Sequence, residues 1–175
     1  GHLREVKDPF RAAAALRHLP REPRAEVVHV GDALSPETAA QARRWMALEP
    51  RYRWIGGRSH AQALGWIARS HLLVVSSVME GGANVICEAA RIGTPVVASR
   101  ISGNLGMLGR SYPGYYRLGD ERALARLIAR SAADAAYLLR LKRALRERRA
   151  LFAPAAERSA LNALVRETLA RARPA

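Results

Sequence analysis

The chain has 175 residues, enough for one domain with a sizeable core, and 49% of them are apolar, which excludes a disordered protein. Lys and Arg total 29 against 15 Asp and Glu, and nearly all of the basic residues are arginine. No apolar run approaches the length of a membrane span, and the lone Cys87 excludes an internal disulfide framework.

The formal net charge of +14 would suit nucleic acid, acidic lipid or a phosphorylated ligand. The arginines fall mostly on expected helix faces without interleaved aromatic residues, so we attribute the charge to a GC-rich coding sequence and expect no nucleic-acid partner. One Cys and five scattered His give no metal-ligand spacing, and no Ser-His-Asp arrangement stands out. The single cysteine fits a reducing compartment, and we expect a cytoplasmic protein.

The first part of the chain predicts strands that alternate with helices. Asp8 and Pro9 predict the N-cap and first position of a helix that runs to about Leu19. The following predicted elements are a strand "EVVHVG", a helix from Ser35 to about Leu48, a strand "YRWIG" and a helix capped by Ser59 that runs to about Arg69.

The second part continues this alternation. "HLLVVSS" is a continuous apolar run, which is typical of a strand covered on both faces. A helix from about Asn84 to Ile92, a C-cap at Gly93 and a strand "PVVAS" follow. The remaining predicted elements are a weaker strand "YYRLG", a helix capped by Asp120, and nearly continuous helix from Asp134 that breaks at "FAP".

Strand and helix thus alternate four or five times, which predicts an α/β fold with a Rossmann-like, doubly wound parallel sheet. We expect one domain over residues 1–175, with an α/β core over about 1–130 and C-terminal helices over about 134–175. No strand precedes the first helix, so we expect a fragment of a longer protein.

Parallel sheets bind ligands beyond the carboxyl ends of their strands, and the loop from Ser76 to Ala83 follows such an end. Gly81 and Gly82 allow backbone to approach a ligand closely. The helix after the loop offers free N–H groups and the positive end of its dipole, which predicts a diphosphate site.

Glu88 lies four residues after Asn84, so the two share one face of that helix. We expect Val85, Ala89 and Ile92 to form the opposite, buried stripe. The outward carboxylate of Glu88 could accept two hydrogen bonds from vicinal hydroxyls, such as those of a ribose. The alternative is that Glu88 is a solvated helix acid and that the two glycines only make a turn.

The stretch "EGGANVICEAARIGTPVVAS" resembles a signature of retaining nucleotide-sugar glycosyltransferases of the GT-B fold. Members of that family usually have E-G-F-G-L-x-x-x-E-A-x-A-x-G-x-P-V-V-A-S. The opening "GHLREVKDP" resembles the family's G-R-L-x-x-x-K-G, and the resemblance extends over roughly residues 1–130. It implies that this chain is the C-terminal, donor-binding half of a GT-B fold.

The resemblance also implies roles for individual residues. Glu88 would bind the ribose, Glu80 would bind the donor sugar, and Lys7 would contact the diphosphate. The other implied contacts are backbone of Gly81, Gly82, Ala83 and Asn84 with sugar and phosphate oxygens, and of Gly56, Gly57 and Arg58 with the base.

This chain departs from the family pattern at two positions. His2 stands where the family has an arginine beside the diphosphate, so charge stabilisation there would be weaker or would come from Arg4 or Arg58. Gly82 replaces the phenylalanine of E-G-F-G, which opens space around the sugar. "GHLREVKDP", "MEGGANV" and "YPGYY" are similar to one branch, the selenosugar synthases, which join a nucleotide-activated sugar to selenophosphate.

We therefore predict a glycosyltransferase domain that uses a nucleotide diphosphate sugar, expected to be a UDP-sugar, and needs no metal or other cofactor. We expect the acceptor site in an N-terminal domain of the full-length chain, and no sugar transfer by this fragment alone. Two alternatives remain open: a nucleotide-sugar epimerase or phosphorylase of the same fold, and a basic nucleic-acid-binding module built on Arg140 to Arg149.

Overall fold

The computed structural model describes residues 1–20 and 25–171, and it has parallel strands packed against helices. The strands are β1 Val27–His29, β2 Tyr52–Trp54, β3 Leu73–Val75, β4 Val96–Ser99 and β5 Tyr115–Tyr116. The helices are α1 Arg11–Leu16, α2 Pro36–Leu48, α3 His60–Arg69, α4 Asn84–Ile92, α5 Ser102–Leu108, α6 Glu121–Ala133, α7 Ala135–Arg148 and α8 Pro154–Arg171. The predicted α/β class is confirmed.

The described strands pair in two parallel groups, β1 with β2 and β3 with β4 and β5. Residues 1–8 connect the two groups. The backbone N–H of Leu3 donates to the carbonyl of Asp32 at 2.8 Å, and the N–H of Val78 donates to the carbonyl of Val6 at 2.8 Å. The loops that follow β1 and β3 therefore both contact this N-terminal segment.

The main core surrounds β4, in which all four residues are buried. Side chains from several helices cover it, among them Ile86 of α4, Leu124 of α6 and Leu141 of α7. Helices pack on this strand as expected for a parallel sheet. In β3, by contrast, only Val75 is fully buried, so the apolar run "HLLVVSS" is less completely covered than its composition predicts.

The prediction that Asp8 and Pro9 open the first helix is wrong. Asp8 instead ends a short 3₁₀ turn over Glu5–Lys7 and has a left-handed backbone, with φ of 44°. Its carboxylate accepts a hydrogen bond from Nε of Arg11 at 2.7 Å rather than from helix N–H groups. Helix α1 consequently begins only at Arg11, and it ends at Leu16 rather than at Leu19.

The other predicted helix ends agree with the structure. The hydroxyls of Ser35 and Ser59 cap α2 and α3 within reciprocal capping boxes, and the carboxylate of Asp120 caps α6. Gly93 ends α4 with φ of 96°, a backbone conformation that favours glycine. The break predicted at "FAP" lies between a 3₁₀ turn over Arg149–Phe152 and α8. Within the described ranges, no helix is both long and apolar enough to span a membrane.

Candidate functional site

Two of the predicted site residues form an ion pair across the junction between the N-terminal segment and the loop after β3. Nζ of Lys7 donates a hydrogen bond to Oε1 of Glu80. The Glu80 side chain is 11% exposed and that of Lys7 is 36% exposed, so the carboxylate is the more enclosed partner. The sequence separates these residues widely, and the contact exists only because the chain folds the segment against the loop.

A serine supplies the second hydrogen bond to this carboxylate. Oγ of Ser77 donates to Oε1 of Glu80 at 2.7 Å. Burial raises the pKa of the Glu80 carboxyl, but the hydrogen bonds from Lys7 and Ser77 outweigh it, and the net pKa is lowered. Glu80 is therefore held as a carboxylate, ready to accept hydrogen bonds from hydroxyl groups.

Buried polar side chains fix the loop that carries Glu80. Oγ of Ser99 donates to the carbonyl of Ser77 at 2.6 Å, and Nδ2 of Asn104 donates to the carbonyl of Ser99 at 2.9 Å. All three of these residues are buried. Buried hydrogen bonds of this kind hold a loop in one geometry, because a displaced partner would leave a polar group unpaired.

Helix α5, which was not predicted from the sequence, packs against the backbone of the same loop. A Cβ atom added at Gly103 would lie 2.1 Å from the carbonyl oxygen of Glu80, far inside van der Waals contact. Only glycine allows this approach of the helix to the loop backbone. The loop that carries Glu80 is thus positioned by a short helix that contains two glycines, Gly103 and Gly106, and ends at the C-cap Gly109.

The N-terminus of α4 lies directly after the glycine pair. Its N-cap residue, Ala83, is buried and provides no side-chain cap, and the first turn holds no acidic residue. Gly81, Gly82 and Asn84 are exposed. The first N–H groups of α4 are therefore not neutralised by a side chain of their own helix, which favours an anion there.

Glu88 lies one turn into α4, with its side chain 27% exposed. Its Oε1 lies 2.9 Å from Nε2 of His60, the first residue of α3. The predicted apolar stripe of α4 needs correction: Ile86, Ala89 and Ala90 are the buried residues, Val85 is only half-buried, and Ile92 is 38% exposed. The stripe is rotated toward Ile86 because α4 packs against both α3 and the helices behind β4.

His2 and the segment Gly56 to Arg58 come together around Asp32. Nδ1 of His2 accepts a hydrogen bond from the backbone N–H of Asp32 at 3.0 Å. A Cβ atom added at Gly57 would lie 2.1 Å from the Asp32 carboxylate, so that side chain lies directly over Gly57. Arg58 donates to the carbonyl of Gly57 at 2.6 Å and is exposed. These contacts group His2 with the predicted base-binding segment.

Sequence reasoning missed three side chains of this site: Ser77, Asp32 and His60. Ser77 precedes Glu80 within the same loop, and Asp32 follows the predicted end of a strand. Their positions in the sequence were therefore a signal that could have identified both as site residues. His60 directly follows the capping Ser59. Its contact with Glu88 depends on how α3 packs on α4, which the local sequence does not show.

Part of the arginine run in α7 has a structural role. Nε and Nη2 of Arg148 donate to the carbonyls of Met107 and Gly106, at 3.0 and 2.8 Å, and so cap the end of α5. The guanidinium of Arg140 lies over the ring of Tyr137, 5.4 Å from its centre. These two arginines are engaged within the fold, which weakens the case for the run as a nucleic-acid-binding face.

Comparisons with known proteins agree with this architecture. The family model described as glycosyl transferases group 1 matches residues 1–134. The solved structure of Anabaena HepE in complex with UDP and glucose is 24% identical, with a TM-score of 0.77 over 98% of this chain and 47% of that one. Sucrose-phosphate synthase from Thermosynechococcus elongatus is 26% identical, with a TM-score of 0.78 over 98% of this chain and 45% of that one.

A third solved structure extends the same pattern. WaaG, described as a glycosyltransferase involved in lipopolysaccharide biosynthesis, is 19% identical, with a TM-score of 0.66 over 82% of this chain and 39% of that one. The chain therefore spans a little under half the length of the solved structures it matches. No curated protein gives a significant match.

Proposed function

The chain belongs to the group 1 glycosyl transferases, and from this membership we propose that it is the donor-binding half of a GT-B glycosyltransferase. The proposed reaction passes a sugar from a nucleotide diphosphate sugar to an acceptor. HepE structures that contain UDP or UDP-glucose support a UDP-sugar as the donor. Because the chain covers less than half of these relatives, we propose that the acceptor site lies in an N-terminal domain of the full-length protein.

One observation carries this proposal: Lys7 and Glu80 meet beside the N-terminus of α4. When the bond between the sugar and the diphosphate breaks, negative charge accumulates on the departing phosphate oxygens. A lysine ammonium and free helix N–H groups stabilise such charge, and they are already in place before the bond breaks. Lys7 and the first turn of α4 would therefore hold the leaving group.

Glu80 would orient the sugar. A carboxylate can accept hydrogen bonds from two sugar hydroxyls, and Ser77 and Lys7 fix its direction. Positioning of the sugar carbon relative to an acceptor is a large part of catalysis in group transfer. In the proposed complex Lys7 would contact both the diphosphate and Glu80, and so link the two halves of the donor.

Glu88 and the base-binding segment would complete the donor site. The Glu88 carboxylate would accept hydrogen bonds from the ribose hydroxyls, with Gly56, Gly57 and Arg58 beside the base. We assign His2 to the diphosphate as a weaker substitute for the family's arginine. This assignment places all of the charge stabilisation on protein groups and needs no metal cofactor.

The finer features of the reaction follow from the resemblance described above. We propose transfer with retention of configuration, with selenophosphate as the candidate acceptor and the cytoplasm as the location. A small anionic acceptor would suit an arginine-rich cleft. These features extend beyond family membership, and each needs its own test.

The decisive experiment is titration calorimetry of this chain with UDP, GDP and ADP and with their sugar conjugates. We expect UDP and a UDP-sugar to bind, and we expect no sugar transfer by the chain alone. Steeply salt-dependent DNA binding without any nucleotide binding would instead support the nucleic-acid module. Sugar transfer by the isolated chain at the rate of a whole enzyme would contradict the assignment of the acceptor site to another domain.

A further inference from the structure

His60 contacts the carboxylate to which the proposed function assigns the ribose. Its Nε2 lies 2.9 Å from Oε1 of Glu88, with the His60 side chain 73% exposed and that of Glu88 27% exposed. A carboxylate only accepts hydrogen bonds, so the hydrogen of this bond is on Nε2 of the imidazole. Glu88 thus accepts one hydrogen bond from a side chain of another helix, and this bond does not depend on a nucleotide.

Local structure places His60 where it can make this contact. The hydroxyl of Ser59 accepts from the N–H of Gln62 at 3.3 Å, and the Gln62 side chain accepts from the N–H of Ser59 at 3.1 Å. This capping box fixes the first turn of α3, in which His60 is the first residue. The imidazole therefore projects from a well-defined helix end rather than from a mobile loop.

Tertiary contacts then hold α3 against α4. The hydroxyl of Thr94, just after α4, donates to the carbonyl of Ile67 in α3 at 2.8 Å, and both residues are buried. This bond ties the far end of α3 to the far end of α4. With both ends of α3 fixed, the separation of His60 and Glu88 is set by packing of the two helices.

We propose that His60 is a positioning residue for nucleotide binding, which holds Glu88 in the orientation that accepts the ribose hydroxyls. The inference rests on the proposed function, because it requires Glu88 to bind a ribose. A carboxylate has about four lone-pair positions, so one bond from His60 leaves room for two hydroxyl donors. Without His60, the Glu88 side chain would also populate rotamers that face solvent. Ordering it again on binding would reduce the net free energy of nucleotide binding.

The test is calorimetric titration of the whole chain with UDP and with 2′-deoxy-UDP. We expect His60→Ala to weaken UDP binding about threefold to tenfold, which is less than the loss of a direct hydrogen bond between a charged group and the ligand, because His60 acts on the nucleotide only through Glu88. It should also reduce the preference for UDP over 2′-deoxy-UDP. His60→Gln should restore most of both, because its side-chain amide can donate a hydrogen bond to the carboxylate.

Two further variants separate positioning from general effects. His71→Ala removes another exposed histidine, which lies before β3 and thus at the sheet edge opposite the site, and it should bind as wild type does. His60→Ala combined with Glu88→Ala should bind UDP no more weakly than Glu88→Ala alone. Circular dichroism of each variant would confirm that α3 and α4 remain folded.

The outcomes distinguish this inference from the proposed function. If Glu88→Ala weakens UDP binding while His60→Ala binds UDP as well as wild type or more tightly, His60 does not position Glu88 and the inference is wrong. If wild type shows no preference for the ribose and Glu88→Ala has no effect, the assignment of Glu88 to ribose fails, and the inference fails with it.

Discussion

Nζ of Lys7 and Oε1 of Glu80 are hydrogen-bonded although the two residues lie 73 positions apart in the sequence. The bond joins the turn that ends the N-terminal segment to the loop before α4. The hydroxyl of Ser76 reinforces this junction, because it donates to the carbonyls of Lys7 and Asp8, each at 2.9 Å. A cation and a carboxylate thus lie side by side at the edge of the sheet where parallel folds bind ligands.

The two partners should contribute differently to binding. Lys7→Gln should weaken binding of both UDP and a UDP-sugar by about 1.5–3 kcal/mol, the range for hydrogen bonds to charged groups, because both ligands carry the diphosphate. Glu80→Gln should weaken binding of the UDP-sugar and leave the affinity for UDP nearly intact. Calorimetry with the two ligands checks both expectations. Equal losses for both ligands in Glu80→Gln would contradict contact of Glu80 with the sugar.

Glu88→Ala should weaken UDP binding by about 1.5–3 kcal/mol if the carboxylate accepts hydrogen bonds from the ribose. Removal of the 2′-hydroxyl from the ligand should therefore cost wild type much more than it costs the variant. A double comparison, two proteins against UDP and 2′-deoxy-UDP, measures this coupling directly. Equal losses in both proteins would show that Glu88 does not contact the ribose.

His2→Arg should strengthen UDP binding, because arginine carries a permanent charge and forks around phosphate oxygens. In the structure Nδ1 of His2 is occupied by the N–H of Asp32, which leaves only Nε2 for a ligand. The measurement is the dissociation constant for UDP at constant ionic strength, and several-fold tighter binding is the expected result. If affinity is unchanged in His2→Arg and also in His2→Ala, residue 2 does not contact the diphosphate.

The local parts of this architecture could be predicted from the sequence. Helix α4 and its C-cap at Gly93 follow from a short amphipathic pattern and a glycine at the right place, and both agree with the structure. Helix α5 could not be predicted in the same way, because "ISGNLGMLG" combines three glycines with an N-cap, Ile101, that makes no side-chain bond. Its stability comes from tertiary contacts, such as the caps that Arg148 provides.

The contacts within the site also depend on tertiary structure, so they could not be predicted from local sequence patterns. Motif resemblance indicated Lys7, Glu80 and Glu88 individually, but periodicity gives no distance between residues in different elements. The failed prediction at Asp8 has a related cause. An aspartate before a proline is a strong N-cap signal, yet here its carboxylate bonds to the side chain of Arg11, which also bonds to Glu121 of α6 at 2.6 Å. The Asp8 carboxylate is therefore engaged by a nearby arginine that a distant helix also holds, and it does not cap the helix.

Stability should depend on pH through His29, whose Nδ1 lies 3.0 Å from the hydroxyl of Tyr52. Burial lowers the pKa of His29 from 6.5 to about 4, so the folded protein holds a neutral imidazole while the unfolded chain binds a proton at higher pH. The free energy of unfolding should therefore be highest above about pH 6.5 and fall progressively toward about pH 4. At about 1.4 kcal/mol per pKa unit, the loss is at most about 3–4 kcal/mol.

Urea denaturation over that pH range checks this expectation. His29→Gln removes the titrating group, so its free energy of unfolding should fall less steeply than that of wild type over the same range, whatever its stability at neutral pH. Parallel curves for the two proteins would show that protonation of His29 is not coupled to folding.

Two glycines of α5 provide a matched pair for testing how the Glu80 loop is supported. An added Cβ at Gly103 would lie 2.1 Å from the Glu80 carbonyl oxygen, whereas an added Cβ at Gly106 meets nothing within 4 Å. Gly103→Ala must displace either the helix or the loop, and we expect it to destabilise the fold by about 1–3 kcal/mol, as for overpacked sites. Gly106→Ala should be neutral or stabilise by up to about 1 kcal/mol, because alanine is the better helix former.

The Gly103→Ala and Gly106→Ala variants also distinguish an effect on the position of Glu80 from an effect on the stability of α5. Because Gly103 touches the residue that we assign to the sugar, Gly103→Ala should also weaken binding of a UDP-sugar more than binding of UDP. Urea denaturation and calorimetry of the two variants measure both effects. If Gly103→Ala and Gly106→Ala behave alike in both measurements, then α5 does not set the position of Glu80, and the close approach of helix and loop has no functional role.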